Sequence, residues 1–111
     1  MLIENTVLIK ANGTIENAPL DFCDARCLVS ASEHAGWSCG CDLVRNGHLI
    51  GAVSDTGLLD KLPHNLIASL IFRQHLYGDC FVFVSNDDDT ELLPIDEQGL
   101  KRELSTLTKC K

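Results

Sequence analysis

The sequence predicts a single small α+β domain over residues 1–111, with a mainly antiparallel sheet and helices packed on it in the order ββαββαβα. Three observations support this prediction. The length of 111 residues allows one domain with one core. Two Asn-Gly pairs, Asn12-Gly13 and Asn46-Gly47, separate apolar segments as hairpin turns do. Segments with helical periodicity lie between and after these hairpins. We therefore expect an antiparallel sheet with the helices on one face.

The first hairpin is predicted around Asn12-Gly13. Thr6 to Ala11 has the composition of a strand, and Thr14 to Ala18 is its predicted partner. A three-residue loop would place Ala11 opposite Ile15, which gives the hairpin one apolar face.

The first helix is predicted to begin at a cap on Asp21 and to run to about His34. Aspartate is a preferred residue at helix N-termini, and Gly36 follows the predicted end, where glycine commonly closes a helix. The apolar residues of this segment recur at helical spacing and form one stripe, made of Leu20, Cys23, Cys27, Leu28 and Ala31.

Asn46-Gly47 is the strongest hairpin signal in the chain. It separates the predicted strands Trp37 to Arg45 and His48 to Val53. A two-residue turn pairs Arg45 with His48 and Leu43 with Ile50. One face of this hairpin then carries a coherent apolar set, made of Trp37, Cys39, Cys41, Leu43, Ile50 and Ala52.

A second helix is predicted from Pro63 to about His75, because proline suits the first turn of a helix. Its predicted inward residues are Leu66, Ile67, Leu70 and Ile71. Cys80 to Val84 has the apolar density of a central strand, and Leu92-Leu93 is predicted as a short edge strand.

The last helix is predicted to begin after Asp96. Asp96 is its cap, and Ile95 and Leu100 have the spacing of a hydrophobic staple. Glu97 at the start suits the helix dipole, as do Lys109 and Lys111 at the end. The predicted buried stripe is Leu100, Leu104 and Leu107.

The composition excludes several classes of protein. The net charge of −7 and the pI of about 4.8 make binding to nucleic acid unfavourable. An acidic surface serves solubility, with imitation of nucleic acid as the less favoured alternative. The apolar runs are too short to span a bilayer, and Met1-Leu2-Ile3-Glu4 lacks the basic start of a signal peptide. We therefore expect a cytoplasmic protein that does not bind membranes.

Four cysteines form the sharpest candidate for a chemical site. Cys23 and Cys27 share one predicted helix face, and Cys39 and Cys41 share one strand face. Both pairs point into one interface, so a four-thiolate zinc site is a candidate. The spacing lacks the CxxC pattern of zinc ribbons, however, and small buried thiols explain all four positions better.

The remaining candidates for a site are weak. Polar contacts to a ligand could come from Arg45, His64, Asn65 and Arg73. A cysteine–histidine nucleophilic pair would need His34, His48, His64 or His75 beside a reactive thiol, and no flanking motif indicates one. The acidic run Asp87-Asp88-Asp89 lacks the spacing of a calcium loop and is predicted as a solvated loop.

The segment from Leu49 to Leu104 resembles a family of small, functionally uncharacterised proteins of bacteriophages and mobile elements. The residues that carry this resemblance are Gly36-Trp37, Asp55-Thr56-Gly57-Leu58-Leu59, Leu62-Pro63-His64-Asn65, Gly78 to Val84 and Ile95-Asp96-Glu97-Gln98. They cover about half of the chain and are structural punctuation rather than catalytic motifs. The resemblance implies a phage setting and brings no catalytic residue.

These observations favour a non-enzymatic, phage-type accessory protein that binds a host component, in an anti-defence or host-takeover role. The alternative is a protein that sequesters a small molecule or nucleotide and acts as a homo-oligomer. A third hypothesis is an interaction module stabilised by a four-cysteine zinc site. An enzyme is the least favoured class, and no cofactor is expected.

Overall fold

A computed structural model describes residues 2–23, 26–37, 41–54, 61–86 and 91–109, with side chains described up to residue 105. Within these ranges the elements are β1 (Ile3–Ile9), β2 (Ile15–Asp21), α1 (Cys27–Ala35), β3 (Cys41–Asn46), β4 (Leu49–Ser54), α2 (Leu66–Phe72), β5 (Cys80–Ser85), β6 (Leu92–Pro94) and α3 (Glu97–Lys109). This confirms the α+β class with an antiparallel sheet. The predicted order ββαββαβα is only roughly matched, because β6 lies between β5 and α3 in the structure.

Strand β5 lies at the centre of the sheet. The strand order is β2-β1-β5-β4-β3, and β6 also pairs with β5. Every pairing is antiparallel. The apolar density of Cys80 to Val84 predicted this central position, and all residues of β5 except Val84 are buried.

The helices cover both faces of the sheet, so the expectation of helices on one face was wrong. α2 and α3 contribute Phe72 and Leu100 to one core cluster, and α1 contributes Cys27 and Ala31 to another. Successive strand residues point to opposite faces, and all six residues of β4 are buried. A strand without a polar face needs cover on both sides, which one layer of helices cannot give.

The first hairpin differs from the prediction in its register. Ile15 pairs with Ile9 instead of Ala11. The Thr14 N–H donates to Asn12 Oδ1 (3.0 Å), which organises the loop. The Ala11 N–H donates to the carboxylate of Asp79 (3.1 Å), so Ala11 is held outside the hairpin ladder.

The second hairpin is confirmed, but its predicted register was wrong, because the two-residue turn lies one residue later in the chain than predicted. Arg45 pairs with Ile50 and Leu43 with Ala52, so the turn residues are Gly47 and His48. Asn46 belongs to β3 and pairs with Leu49, and its Nδ2 donates to the carbonyl of Ile71 in α2 (2.8 Å). The predicted apolar face survives in part: its members Ile50, Ala52, Trp37 and Cys41 pack in the α1-side core, whereas Leu43 is 51% exposed.

The prediction that Asp21 caps α1 was wrong. β2 extends to Asp21, and α1 begins only at Cys27. The Asp21 carboxylate instead accepts from the backbone N–H groups of Cys23 (2.9 Å) and Leu2 (3.1 Å). These two bonds, with that of Cys23 the stronger, lower the pKa of Asp21. The predicted end of the helix is confirmed, because Gly36 closes α1 in the left-handed conformation (φ 75°).

Helix α2 is shorter and turned differently from the prediction. It begins after Asn65, which caps it, and ends at Phe72. Leu66 and Leu70 were predicted to face inward, but they are 61% and 70% exposed. Its buried residues are Ala68, Ser69, Ile71 and Phe72. The anchored cap at Asn65 sets where the helix starts and therefore which of its residues face the sheet.

Helix α3 follows the prediction at its start. Asp96 Oδ1 accepts from the Gly99 N–H (2.6 Å), as an N-cap does. Ile95 and Leu100 are buried in one core cluster, and Leu104 packs against it. The side chain of Leu107 lies outside the described residues.

We predict that Gly51→Ala destabilises the fold. A Cβ at Gly51 would lie 2.7 Å from a ring carbon of Phe72 and 2.9 Å from Val44 Cγ2. Overpacking of this kind costs about 1–3 kcal/mol of unfolding free energy. Urea unfolding measures the loss, and Phe72→Leu in the same chain should recover part of it. A loss equal to the sum of the two single variants would contradict the contact.

Candidate functional site

The strongest candidate site is a gap in the sheet, which we call the fork. β1 and β6 lie on the same side of β5: β1 pairs with Cys80 to Val82, and β6 with Phe83 to Ser85. The N-terminal half of β1 must therefore leave β5 to make room for β6. The fork is the space between residues 3–5 of β1 and β6 with the start of α3.

Buried Thr6 lies at the point where the strands separate. Its hydroxyl donates to the carbonyl of Val82 (2.5 Å) and accepts from the Ile95 N–H (3.1 Å). The Val7 N–H donates to the Ile95 carbonyl (3.0 Å). Thr6 is 0% exposed, so these bonds form away from water. They fix β1, β5 and the end of β6 to one another.

The backbone of β1 presents hydrogen-bonding groups to the fork. Phe22 N–H donates to the Leu2 carbonyl and Lys10 N–H to the Thr14 carbonyl, each at 2.8 Å, so the even-numbered residues of β1 bond to β2. The odd-numbered residues point the other way, as the bond from Val7 to Ile95 confirms. The N–H and C=O groups of Ile3 and Asn5 therefore face the fork. In the described part of the chain β6 pairs with β5 and not with β1.

The fork opens into a cavity of about 700 Å³ between the sheet and α3. Ile3, which is 52% exposed, supplies an apolar contact surface beside these backbone groups. The charged residues of the lining are Glu4, Asp96, Glu103 and Arg102. Acidic groups outnumber basic ones there, as they do in the whole chain with its net charge of −7. The fork therefore favours a cationic ligand over an anionic one.

A second cluster of polar side chains lies around α2. His64 Nε2 is 3.2 Å from Ser69 Oγ and 3.5 Å from His75 Nδ1. The ring of Tyr77 meets that of His64 edge-on, with centroids 5.4 Å apart. His64 and His75 are both exposed, so this histidine pair is open to solvent.

Of the four polar candidates from the sequence, Asn65 has a structural role. Its Nδ2 donates to the carbonyls of Ile9 and Gly78, each at 2.9 Å, and its Oδ1 accepts from the Ala68 N–H (3.1 Å). The side chain is 1% exposed. These bonds join β1, the segment before β5 and the start of α2, and they engage both amide hydrogens of Asn65 within the protein.

The other three candidates lie on separate elements. His64 precedes the cap of α2, and Arg73 closes that helix in a left-handed conformation (φ 58°). Arg45 lies on the exposed part of β3. The structure brings His64 together with His75. The sequence analysis considered each of these histidines only as a possible partner for a reactive thiol and did not predict that they meet. His34 instead meets the ring of Phe81 edge-on, and His48 Nδ1 lies 3.2 Å from Ser85 Oγ.

The cysteines favour packing over metal binding. Cys27 is buried in the α1-side core and Cys41 packs against it, while Cys23 lies half-buried in the turn after β2. Cys39 lies outside the described residues. Among the described residues no group of three or more His, Cys, Asp or Glu side chains is arranged to hold a metal ion. The zinc hypothesis therefore gains no support from the three cysteines that are described.

Burial also keeps the core thiols protonated. It raises the pKa of Cys27, and it raises the pKa of Cys80 to about 12. A thiol must lose its proton to act as a nucleophile or a metal ligand, so Cys80 is suited to neither role at neutral pH.

Comparison with known proteins gave no match among family models, curated proteins or solved structures. The resemblance to phage proteins therefore stays a prediction. The longest helix in the described part of the chain, α3, has 13 residues, and none of the described helices has the length and apolar character needed to cross a bilayer.

We predict that Asn65→Ala lowers the free energy of unfolding by about 2–4 kcal/mol, because it removes a helix cap and takes one donor away from each of two buried carbonyls. Asn65→Asp keeps the cap but places a carboxylate against the carbonyls of Ile9 and Gly78. Its folded-state pKa is then raised, so its stability deficit should shrink as the pH falls toward about 4. Urea unfolding at two pH values measures both effects. Exposed Asn17→Ala is the control, and an Asn65→Asp deficit independent of pH would contradict the assignment.

We predict that the buried thiol of Cys80 makes the free energy of unfolding fall in alkali. From pH 9.0 upward the unfolded chain releases the thiol proton, whereas the native protein keeps it until about pH 12. The native state therefore binds more protons across this interval, and stability falls as the pH rises. Chemical unfolding across this range should give a shallower pH slope for Cys80→Ala than for the parent protein. Equal slopes would show that the thiol is not buried in the native state.

Proposed function

We propose that this protein is a non-enzymatic binding module that takes an extended segment of a partner protein into the fork. The observation that carries the proposal is the backbone of Ile3 and Asn5, whose N–H and C=O groups face the fork. An extended peptide bonds to such an edge as an added strand. The cavity of about 700 Å³ gives room for its side chains.

The position of the fork supports binding without a large rearrangement. Thr6 and Ile95 fix its closed end through bonds of 2.5–3.1 Å, and β2 holds the other side of β1 through residues 3–9. The binding edge therefore exists before the partner arrives. Preorganisation of this kind lowers the entropy cost of association.

The charges favour a partner segment that carries lysine or arginine. Glu4, Asp96 and Glu103 line the fork, with Arg102 as the basic residue among them. Charge complementarity of this type speeds association and selects among partners, and it weakens with salt.

The biological setting proposed here is a phage-infected bacterial cell. It rests on the resemblance to bacteriophage proteins, and it makes the partner a host protein in the cytoplasm. A small acidic chain that binds a host protein suits an anti-defence or host-takeover role.

A small cationic molecule is the second candidate ligand. The cavity volume lies within the roughly 300–1,000 Å³ of small-molecule pockets. An anionic nucleotide is disfavoured by the acidic lining. Native mass spectrometry of protein purified from its expression host would show a retained small molecule as an added mass.

We predict that peptides selected from a displayed random library will be basic and will bind Asn5→Pro more weakly than the parent protein. Proline removes the N–H that faces the fork, while Glu4 and Thr6 keep their bonds to β2. Binding by isothermal titration should weaken at least about tenfold, or about 1.4 kcal/mol. In the parent protein, the amide resonances of Ile3 and Asn5 should shift on binding.

A charge-matched pair of variants tests the role of the acidic lining. Glu103→Lys lies in the fork, and Glu16→Lys makes the same charge change on exposed β2. The first should weaken peptide binding and its salt dependence, and the second should weaken binding far less. Both must unfold like the parent protein.

Failure to select any peptide from the library, or equal binding of the selected peptides by Asn5→Pro and the parent protein, would refute strand addition.

A further inference from the structure

We propose that His64 and His75 form a binding site for a divalent transition-metal ion such as Zn²⁺ or Ni²⁺. Two ring nitrogens supply protein ligands, and water or a side chain of a partner completes the coordination. The site lies at the base of α2 and is separate from the fork.

The distance between the two rings suits a shared metal ion. His64 Nε2 and His75 Nδ1 lie 3.5 Å apart. Two imidazole nitrogens bound to one tetrahedral ion at 2.0–2.1 Å lie about 3.4 Å from each other. The ring centroids are 5.5 Å apart and the planes are inclined by 47°. The two nitrogens therefore already have the separation that one shared ion requires.

The backbone brings the two histidines together. Asn65 N–H donates to the Leu76 carbonyl (2.8 Å), and Gly78 N–H donates to the Pro63 carbonyl (2.7 Å). His64 and Tyr77 form a bridge between these bonds. Residues 63–65 and 76–78, on either side of α2, are thus paired through the backbone. This pairing holds the backbone of His64 close to that of His75.

The neighbouring hydroxyl permits metal binding. Ser69 Oγ lies 3.2 Å from His64 Nε2 and 3.4 Å from the Leu76 carbonyl, and it accepts from the Leu76 N–H (2.9 Å). When a metal takes the lone pair of Nε2, the Ser69 proton still has the Leu76 carbonyl as an acceptor. Ser69 therefore loses no essential bond.

Metal binding here would stabilise the segment that carries α2. The ion would join residues 64 and 75 across the helix, in addition to the backbone bonds. A ligand that binds only the folded protein raises its stability by mass action. Leu66 and Leu70, both more than half exposed, lie on the segment that the ion would fasten.

The test is a titration of the full chain, purified without a histidine tag, with Ni²⁺ in a non-coordinating buffer. We expect one bound ion per chain, a higher unfolding temperature and no thiolate-to-metal absorption band. His64→Gln and His75→Gln should each weaken binding at least about tenfold and abolish the thermal shift. His48→Gln, which changes an exposed histidine of the second hairpin, should bind like the parent protein.

Three results would overturn the proposal. The parent protein could fail to bind Ni²⁺ or could bind several ions with equal weakness. Affinity could survive in both His64→Gln and His75→Gln. A thiolate absorption band that disappears in Cys23→Ser or Cys41→Ser would place the metal at the cysteines instead. Circular dichroism of each variant must match the parent protein, and Zn²⁺ repeats the series with the biologically commoner ion.

Discussion

The burial of β5 is the constraint on which the remaining structure depends. Its side chains alternate between two cores, with Cys80 and Val82 on one face and Phe81 and Phe83 on the other. Its two edges are occupied by β4 on one side and by β1 and β6 on the other. Helices are therefore needed on both faces, and two strands must share one edge. The fork follows from that sharing. β1 pairs with the first half of β5 and β6 with the second half, so the N-terminal part of β1 has to separate from β5.

Much of the fold could be predicted from short-range signals. The Asp96 cap and the pairing of Ile95 with Leu100 depend on residues within one helical turn or two, and both are observed. The Asn46-Gly47 hairpin also formed, but Asn46 lies in β3 and not in the turn, and its side chain bonds to Ile71 in a distant helix. Asp21 was misassigned for a similar reason: its carboxylate accepts from Leu2, far away in the sequence. Local patterns locate elements well, whereas tertiary hydrogen bonds decide where they begin and which residues pair.

The candidate sites were harder to predict than the fold. Asn65 was predicted as a possible ligand contact because it is polar. Its amide group instead forms hydrogen bonds that join three segments of the chain. The inward face of α2 was also misjudged, since Leu66 and Leu70 satisfy helical periodicity as well as Ile71 does. The fork has no motif, because it arises from two strands that meet on β5 from different parts of the chain. A single sequence signal existed: Thr6 is a polar residue at the start of the apolar run Val7-Leu8-Ile9, and a buried hydroxyl in a sheet requires partners.

The outward-facing backbone of Ile3 and Asn5 has a consequence for how such a surface would evolve. Main-chain groups are the same in every residue except proline, so they detect an extended conformation and almost no side-chain identity. A partner could replace most residues of the bound segment and still pair with this edge. Escape by point substitution would be slow, because only a proline, a loss of positive charge or a change of local conformation would break the contact. Such a contact would persist while the sequence of the partner changes rapidly.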